Sequence, residues 1–238
     1  FKRPVFISET GIGSVLDTAT LVKKYSEQKK RDFYPDEILI RNIHNAFIGD
    51  LKIYGFDRQY PDAGEIFAAA YENHYKHRKL TFDLYRANPY INGLSLTGML
   101  DHSVCGEGLY TLTREYKPKI ADALENGFAT LRWSAILSKS RLYNADNLTM
   151  RGVLANEGVL KPQKYTALLT VCDGSHKLVY KKTKQFTPTE IDLSLFAINV
   201  FDESLPLKNF KEGKYSVRIS LLSGADDKAG VAEFYVDK

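Results

Sequence analysis

The chain is poor in the residues that lock small secreted folds together. Its 238 residues include two Cys, two Met and one Trp. Cys105 and Cys172 are too few for a disulfide framework, and the reading is two unpaired, buried thiols. Long apolar runs are also missing: nothing approaches the roughly 20 apolar residues needed to span a bilayer, so no membrane partner is expected. The chain does not open on Met and carries no hydrophobic leader pattern. Neither sign of charge dominates, with 33 basic against 29 acidic residues and a net charge of +4. The local basic run, Lys23-Lys24 and Lys29-Lys30-Arg31, lacks interleaved aromatics and reads as a solvated helix end, so no nucleic-acid partner is expected. Gly11-x-Gly13 lacks the third glycine of a dinucleotide fingerprint, and there is no Gly-x-Ser-x-Gly elbow. No cofactor is called for.

What is present divides by periodicity. Residues 1–127 read as α/β. Val5-Phe6-Ile7 is a strand-like run that ends in Glu9 and a glycine turn. Ser14 with Asp17 fits a capping box ahead of Val15, Ala19 and Val22. Tyr34-Pro35-Asp36-Glu37 is a helix start followed by Leu39, Ile43, Phe47 and Leu51 at spacing four. The spacing predicts a longer helix over 63–86, with Phe67, Tyr71, Tyr75, Phe82 and Tyr85 on one face and Arg78 filling the gap. Asn88-Pro89 breaks it, and Tyr90 to Leu100 is a second strand-like run, ending at Asp101. That crossover is long enough for parallel pairing. A last helical turn begins near Lys117-Pro118 and ends at Asn126-Gly127.

Over 128–238 the period becomes two. Leu131, Trp133, Ala135 and Leu137 alternate with polar residues, as do Tyr165 to Val171, Ile191 to Leu195 and Tyr215 to Leu221. About seven short strands without a helix predict an immunoglobulin-like β-sandwich; Trp133 reads as core of the sandwich or of its contact with the preceding part, with carbohydrate stacking as the alternative.

Glu9 and Asp101 each end a candidate parallel strand, where barrels and open α/β sheets build their sites. A carboxylate there serves either chemistry or the cap of the next helix. His102 stands beside Asp101. His74 and His77, three apart beside Glu72, read as an exposed polar helix face and not as metal ligands; neither cysteine has an arranged histidine partner.

Taken in order, these stretches resemble glycoside hydrolase family 2, the relatives of β-galactosidase, β-glucuronidase and β-mannosidase. Pro4-Val5-Phe6-Ile7-Ser8-Glu9-Thr10-Gly11 is similar to that family's seventh barrel strand, which delivers the nucleophile. Arg86-Ala87-Asn88-Pro89-Tyr90-Ile91-Asn92-Gly93 through Asp101 resembles the eighth strand. Gly106-Glu107-Gly108-Leu109, Arg114-Glu115-Tyr116-Lys117-Pro118 and Leu131-Arg132-Trp133 look like the exit from the barrel. Tyr143-Asn144-Ala145-Asp146, Leu154-Ala155-Asn156-Glu157 and Lys161 to Tyr165 look like the trailing sandwich. Thr10 stands where an aromatic is usual, and Met99-Leu100 near the place of a substrate-stacking Trp.

The resemblance implies the last part of a (β/α)8 barrel over 1–127 followed by the sandwich over 128–238. It implies retaining hydrolysis of oligo- or polysaccharides, with Glu9 as nucleophile and Asp101 and His102 as substrate-binding residues; Glu107 reads as a loop residue. Retention needs two carboxylates roughly 5–5.5 Å apart. In this family the acid/base comes from the fourth strand, so the expected partner is an N-terminal part of the same polypeptide, and the chain alone is expected to be inactive. Strands left without neighbours suggest a homodimer, and polymeric substrates suggest a periplasmic or secreted setting. The alternative is a non-catalytic carbohydrate-binding or interaction module.

Overall fold

A computed structural model of the chain describes residues 3–28, 34–222 and 225–238. The run Lys29-Lys30-Arg31 lies outside the described residues. The chain forms two compact units, one of Phe1–Ile7, Lys79–Leu94 and Leu124–Lys238, the other of Ser8–Arg78 and Ser95–Ala123.

The first strand, β1, is Val5–Thr10. Helix α1 follows at Thr18–Glu27, and its cap is Asp17, whose carboxylate accepts from the Thr20 amide at 2.9 Å. The expected start at Ser14 is thus displaced by three residues. The cause is tertiary: Val15 forms a backbone bridge with Cys105 and is unavailable to a helix. Helix α2, Pro35–Ile53, begins as its sequence requires, with Pro in the first turn followed by Asp36 and Glu37. Its buried residues are Ile40 and Leu51, while Leu39, expected inside, is half exposed. Leu16, Leu21 and Ile40 form the small apolar cluster of this unit. After a 3₁₀ turn at Phe56–Arg58, α3 spans Ala63–Arg86, as the periodicity predicts. Phe67, Tyr71 and Phe82 of this helix are buried, and Arg78 is completely buried.

Strand β2 is Ile91–Leu96 and pairs with β1 in a two-stranded sheet. The Val5 amide donates to the Tyr90 carbonyl at one end and the Thr97 amide to the Thr10 carbonyl at the other, so the two strands run parallel. Helix α4, Ile120–Gly127, closes the α/β part.

The rest is a β-sandwich. Strands β3 (Leu131–Leu137), β4 (Arg141–Tyr143), β5 (Asn147–Asn156), β6 (Tyr165–Asp173) and β7 (Leu178–Phe186) come first. Helix α5 (Glu190–Ser194) and strands β8 (Ala197–Pro206), β9 (Gly213–Leu221) and β10 (Gly230–Asp237) complete it. One sheet has the order β3-β5-β8 and the other β4-β10-β9-β6-β7. All pairings are antiparallel except β4 with β10. Alternation fills the space between the sheets: Trp133, Leu148, Leu154, Ala167, Leu169, Val171, Phe201, Val217, Ile219 and Phe234 are buried there. The Tyr215 hydroxyl donates to the Lys211 carbonyl at 2.8 Å, four residues upstream, and so fastens the entry to β9. Edge strand β7 is largely exposed.

Ile191, Leu193 and Leu195 do not belong to a strand. Thr189 and Asp192 form a reciprocal capping box that starts α5, and five residues of alternation are outweighed by it. The sandwich therefore has eight strands and one short helix among the described residues, not about seven strands and none.

Candidate functional site

The polar centre of the second unit lies just past the carboxyl ends of β1 and β2. Glu9 is exposed at the end of β1, and Thr10 beside it is buried. Asp101 lies four residues beyond the Thr10–Thr97 hydrogen bond, and it is buried too. Its Oδ1 accepts from the Lys117 ammonium at 2.7 Å and from the Gly108 amide at 2.8 Å. Lys117 also donates to the Gly106 carbonyl, and both members of the ion pair are almost wholly out of solvent. Burial pushes the Asp101 carboxyl up and the Lys117 ammonium down, and the hydrogen bond between them opposes both shifts. The Lys117 ammonium further sits 5.5 Å from the centre of the Tyr71 ring.

This ion pair ties down the turn from Asp101 to Gly108. His102 and Cys105 exchange two backbone hydrogen bonds, of 3.2 and 2.9 Å. Gly106 and Gly108 permit backbone to pass against backbone. A Cβ on Gly106 would lie 2.1 Å from the Val15 carbonyl carbon, and one on Gly108 2.2 Å from the Asp101 nitrogen. Asp101, committed to Lys117 and Gly108, sets the shape of the turn.

The turn presents three side chains able to carry chemistry, His102, Cys105 and Glu107. His102 is exposed, Cys105 and Glu107 are half-buried. His102 Nε2 lies 3.6 Å from Glu107 Oε1. The other Glu107 oxygen approaches the turn after Glu9, within 3.3 Å of where a Cβ on Gly11 would stand. Glu107, read from sequence as a plain loop residue, is thus the carboxylate that the fold brings up to the Glu9 loop. The signal available was its setting between two glycines, which let the chain fold tightly under that loop. Cys105 also gains the histidine neighbour that the sequence left unseen. His102 and Cys105 are three residues apart, a spacing a tight turn brings together.

Below the turn, the α3 residues His74 and Arg78 are buried, contrary to the exposed face expected for His74; only His77 is at the surface. The reason is that Arg78 needs acceptors. Its guanidinium donates to the Thr10 carbonyl at 3.4 Å and lies 3.3 Å from His74 Nε2. Burial, followed by the charges of Lys117, Arg78 and His77, lowers the His74 pKa to about 4. His74 is therefore neutral in the fold at pH 7 and protonated in the unfolded chain below its ordinary value of 6.5. Its contribution is complete above pH 6.5 and is lost as pH falls toward 4. Unfolding in urea at pH 7 and at about pH 4.5 should show a loss about 2–3 kcal/mol larger for the parent than for His74→Gln. Equal losses would place the imidazole in solvent.

Elsewhere the expectations for single residues resolve simply. Trp133 is buried in the sandwich core, and Cys105 and Cys172 are free thiols, half-buried where full burial was expected. Lys24 pairs with Glu115 at 2.6 Å and Lys23 with Glu27 at 3.9 Å. No described helix is long and apolar enough to cross a membrane.

No protein-family model and no curated protein matches the sequence. Among solved structures, the chain is similar to a cycloisomaltooligosaccharide glucanotransferase of Paenibacillus sp. at 17% identity and a TM-score of 0.32, over 43% of this chain and 13% of that one. It is similar to a β-glucosidase of Erythrobacter marinus at 12% identity and a TM-score of 0.32, over 43% of this chain and 15% of that one. A β-glucuronidase of Parabacteroides merdae matches at 13% identity and a TM-score of 0.32, over 45% of this chain and 14% of that one. The chain thus spans about one seventh of the length of each of these three. Likeness of this size assigns no family.

Proposed function

We propose that the chain is the C-terminal part of a retaining glycoside hydrolase of family 2 type, acting on oligo- or polysaccharides. One observation carries the reading: β1 and β2 run parallel, and Glu9 stands exposed at the carboxyl end of β1. That is the position from which barrel strands present catalytic carboxylates. On this reading residues 1–127 are the seventh and eighth strands of a (β/α)8 barrel with their helices. Residues 128–238 are the sandwich, of immunoglobulin-like type; its strand order and the Tyr215 corner fit that type. An earlier segment of the same polypeptide supplies the acid/base carboxylate, and the setting is periplasmic or secreted.

Glu9 attacks the anomeric carbon and forms a glycosyl ester as the protonated leaving group departs; water then hydrolyses the ester. His102 and Glu107, beside that position, meet sugar hydroxyls. Asp101 acts through the turn it holds and not by contact, which refines the role expected for it.

The test compares the complete gene product with its Glu9→Gln variant on a panel of aryl glycosides. Turnover should fall to background in the variant, with the fold intact by circular dichroism. Equal turnover in the two proteins would remove Glu9 from the chemistry. If the complete product hydrolyses nothing but binds glycans, the chain is a carbohydrate-binding module.

A further inference from the structure

The turn after β2 collects three different metal-ligating side chains within eight residues. One ligand atom from each of His102, Cys105 and Glu107 lies within 4.8 Å of the others. We propose that His102, Cys105 and Glu107 form a site for a divalent metal ion of the zinc class.

Donor chemistry selects the ion. A thiolate and an imidazole suit zinc-class ions and disfavour calcium and magnesium, which require oxygen ligands. Geometry agrees. Zinc holds nitrogen and oxygen at roughly 2.0–2.2 Å and sulfur at about 2.3 Å, so tetrahedral neighbours sit roughly 3.3–3.7 Å apart. His102 Nε2 and Glu107 Oε1, at 3.6 Å, already have that separation. Cys105 needs to close by about an ångström at most on the same scale, and the exposed imidazole of His102 has room to turn.

The backbone is prepared for this. The paired His102–Cys105 hydrogen bonds fix the two ligands at a separation of three residues, and Ser103 between them takes the left-handed conformation, with φ of 52°. Asp101 and Lys117 clamp the turn from beneath, through the Gly108 amide and the Gly106 carbonyl. The ordering cost of a loop site is therefore met largely by the fold. Binding proceeds with loss of the thiol proton: the Cys105 S–H gives up its proton to solvent, and the thiolate sulfur bonds the ion. Three protein ligands leave a fourth tetrahedral position for water or an exogenous group.

The inference does not rest on the glycosidase reading and is tested by binding alone; a bound ion would take His102 and Glu107 from the sugar hydroxyls assigned to them there, and leaves Glu9 as it stands. The full 238-residue chain, purified with chelator and reductant, is titrated with Co(II) and then with Zn(II). The expected result is one Co(II) per chain, with a sulfur-to-cobalt charge-transfer band and the intense visible bands of tetrahedral cobalt, both bleached by zinc. Cys105→Ser should abolish the charge-transfer band, whereas Cys172→Ser should keep it. His102→Ala and Glu107→Gln should weaken binding at least tenfold; His102 is exposed, so that variant reports even if Cys105→Ser folds poorly. Absence of the charge-transfer band in the parent, its persistence in Cys105→Ser, or unchanged affinity in His102→Ala would each overturn the site.

Discussion

Replacing Lys117 by methionine should destabilise the protein by about 3–5 kcal/mol, the cost of leaving a buried carboxylate without its counter-ion. Methionine matches the length and apolar stem of lysine, so the loss reports the ammonium and not a cavity. Without it, Asp101 keeps the Gly108 amide, and the Gly106 carbonyl loses its donor. The further substitution Asp101→Asn in the same chain removes the orphaned charge while keeping an acceptor for Gly108. It should recover part of the loss, and the difference between the single and double variants isolates the pair. Urea unfolding at pH 7 provides the measurement. A loss under about 1 kcal/mol would mean that the pair is solvated like a surface ion pair.

The second large effect belongs to the other unit. Arg132, on β3, is completely buried, and its guanidinium reaches four acceptors. It pairs with Asp83 of α3, and donates to Asn126 Oδ1 at 3.0 Å, the Phe82 carbonyl at 3.3 Å and Ser134 Oγ at 3.1 Å. Burial lowers the Arg132 value and Asp83 opposes the shift. Arg132→Met strands all four partners and should likewise cost about 3–5 kcal/mol. Asp83 retains Lys79 at 3.2 Å, which keeps the loss within that range. Arg132→Lys tests the geometry: a point-like ammonium cannot span four acceptors set around a planar fork, so most of the loss should persist. Full rescue by lysine would show that only the charge matters.

These two buried cations also mark the limit of what the sequence carries. Long-period signals survived: α3 begins and ends where its stripe does, and the sandwich follows from alternation in β3, β6 and β9. Short signals were decided by competitors. Five residues of alternation around Leu193 lost to the Thr189–Asp192 box, whose Thr-x-x-Asp spacing was readable. The Ser14 start lost to a bridge from Val15 to Cys105, a contact across 90 positions that no local pattern announces. At the candidate site, the placement of Glu9 near a strand end was legible because β1 opens on the apolar run Val5-Phe6-Ile7. The Asp101–Lys117 pair was not, because it joins residues 16 apart through a turn whose path depends on Gly106 and Gly108. His74 reads as surface until Arg78 is known to be buried beneath it.

The exposed outer strand of the larger sheet gives the sandwich a defence of its own. Lys181, Lys182 and Lys184 stand along β7, whose outer side has no neighbour in the sheet order. A foreign strand that docked there would have to bring its side chains alongside three ammonium groups, one of which, Lys182, is paired with Glu203. That row of charge makes addition of another chain at this border unfavourable, so the border can stay uncovered without recruiting copies of itself.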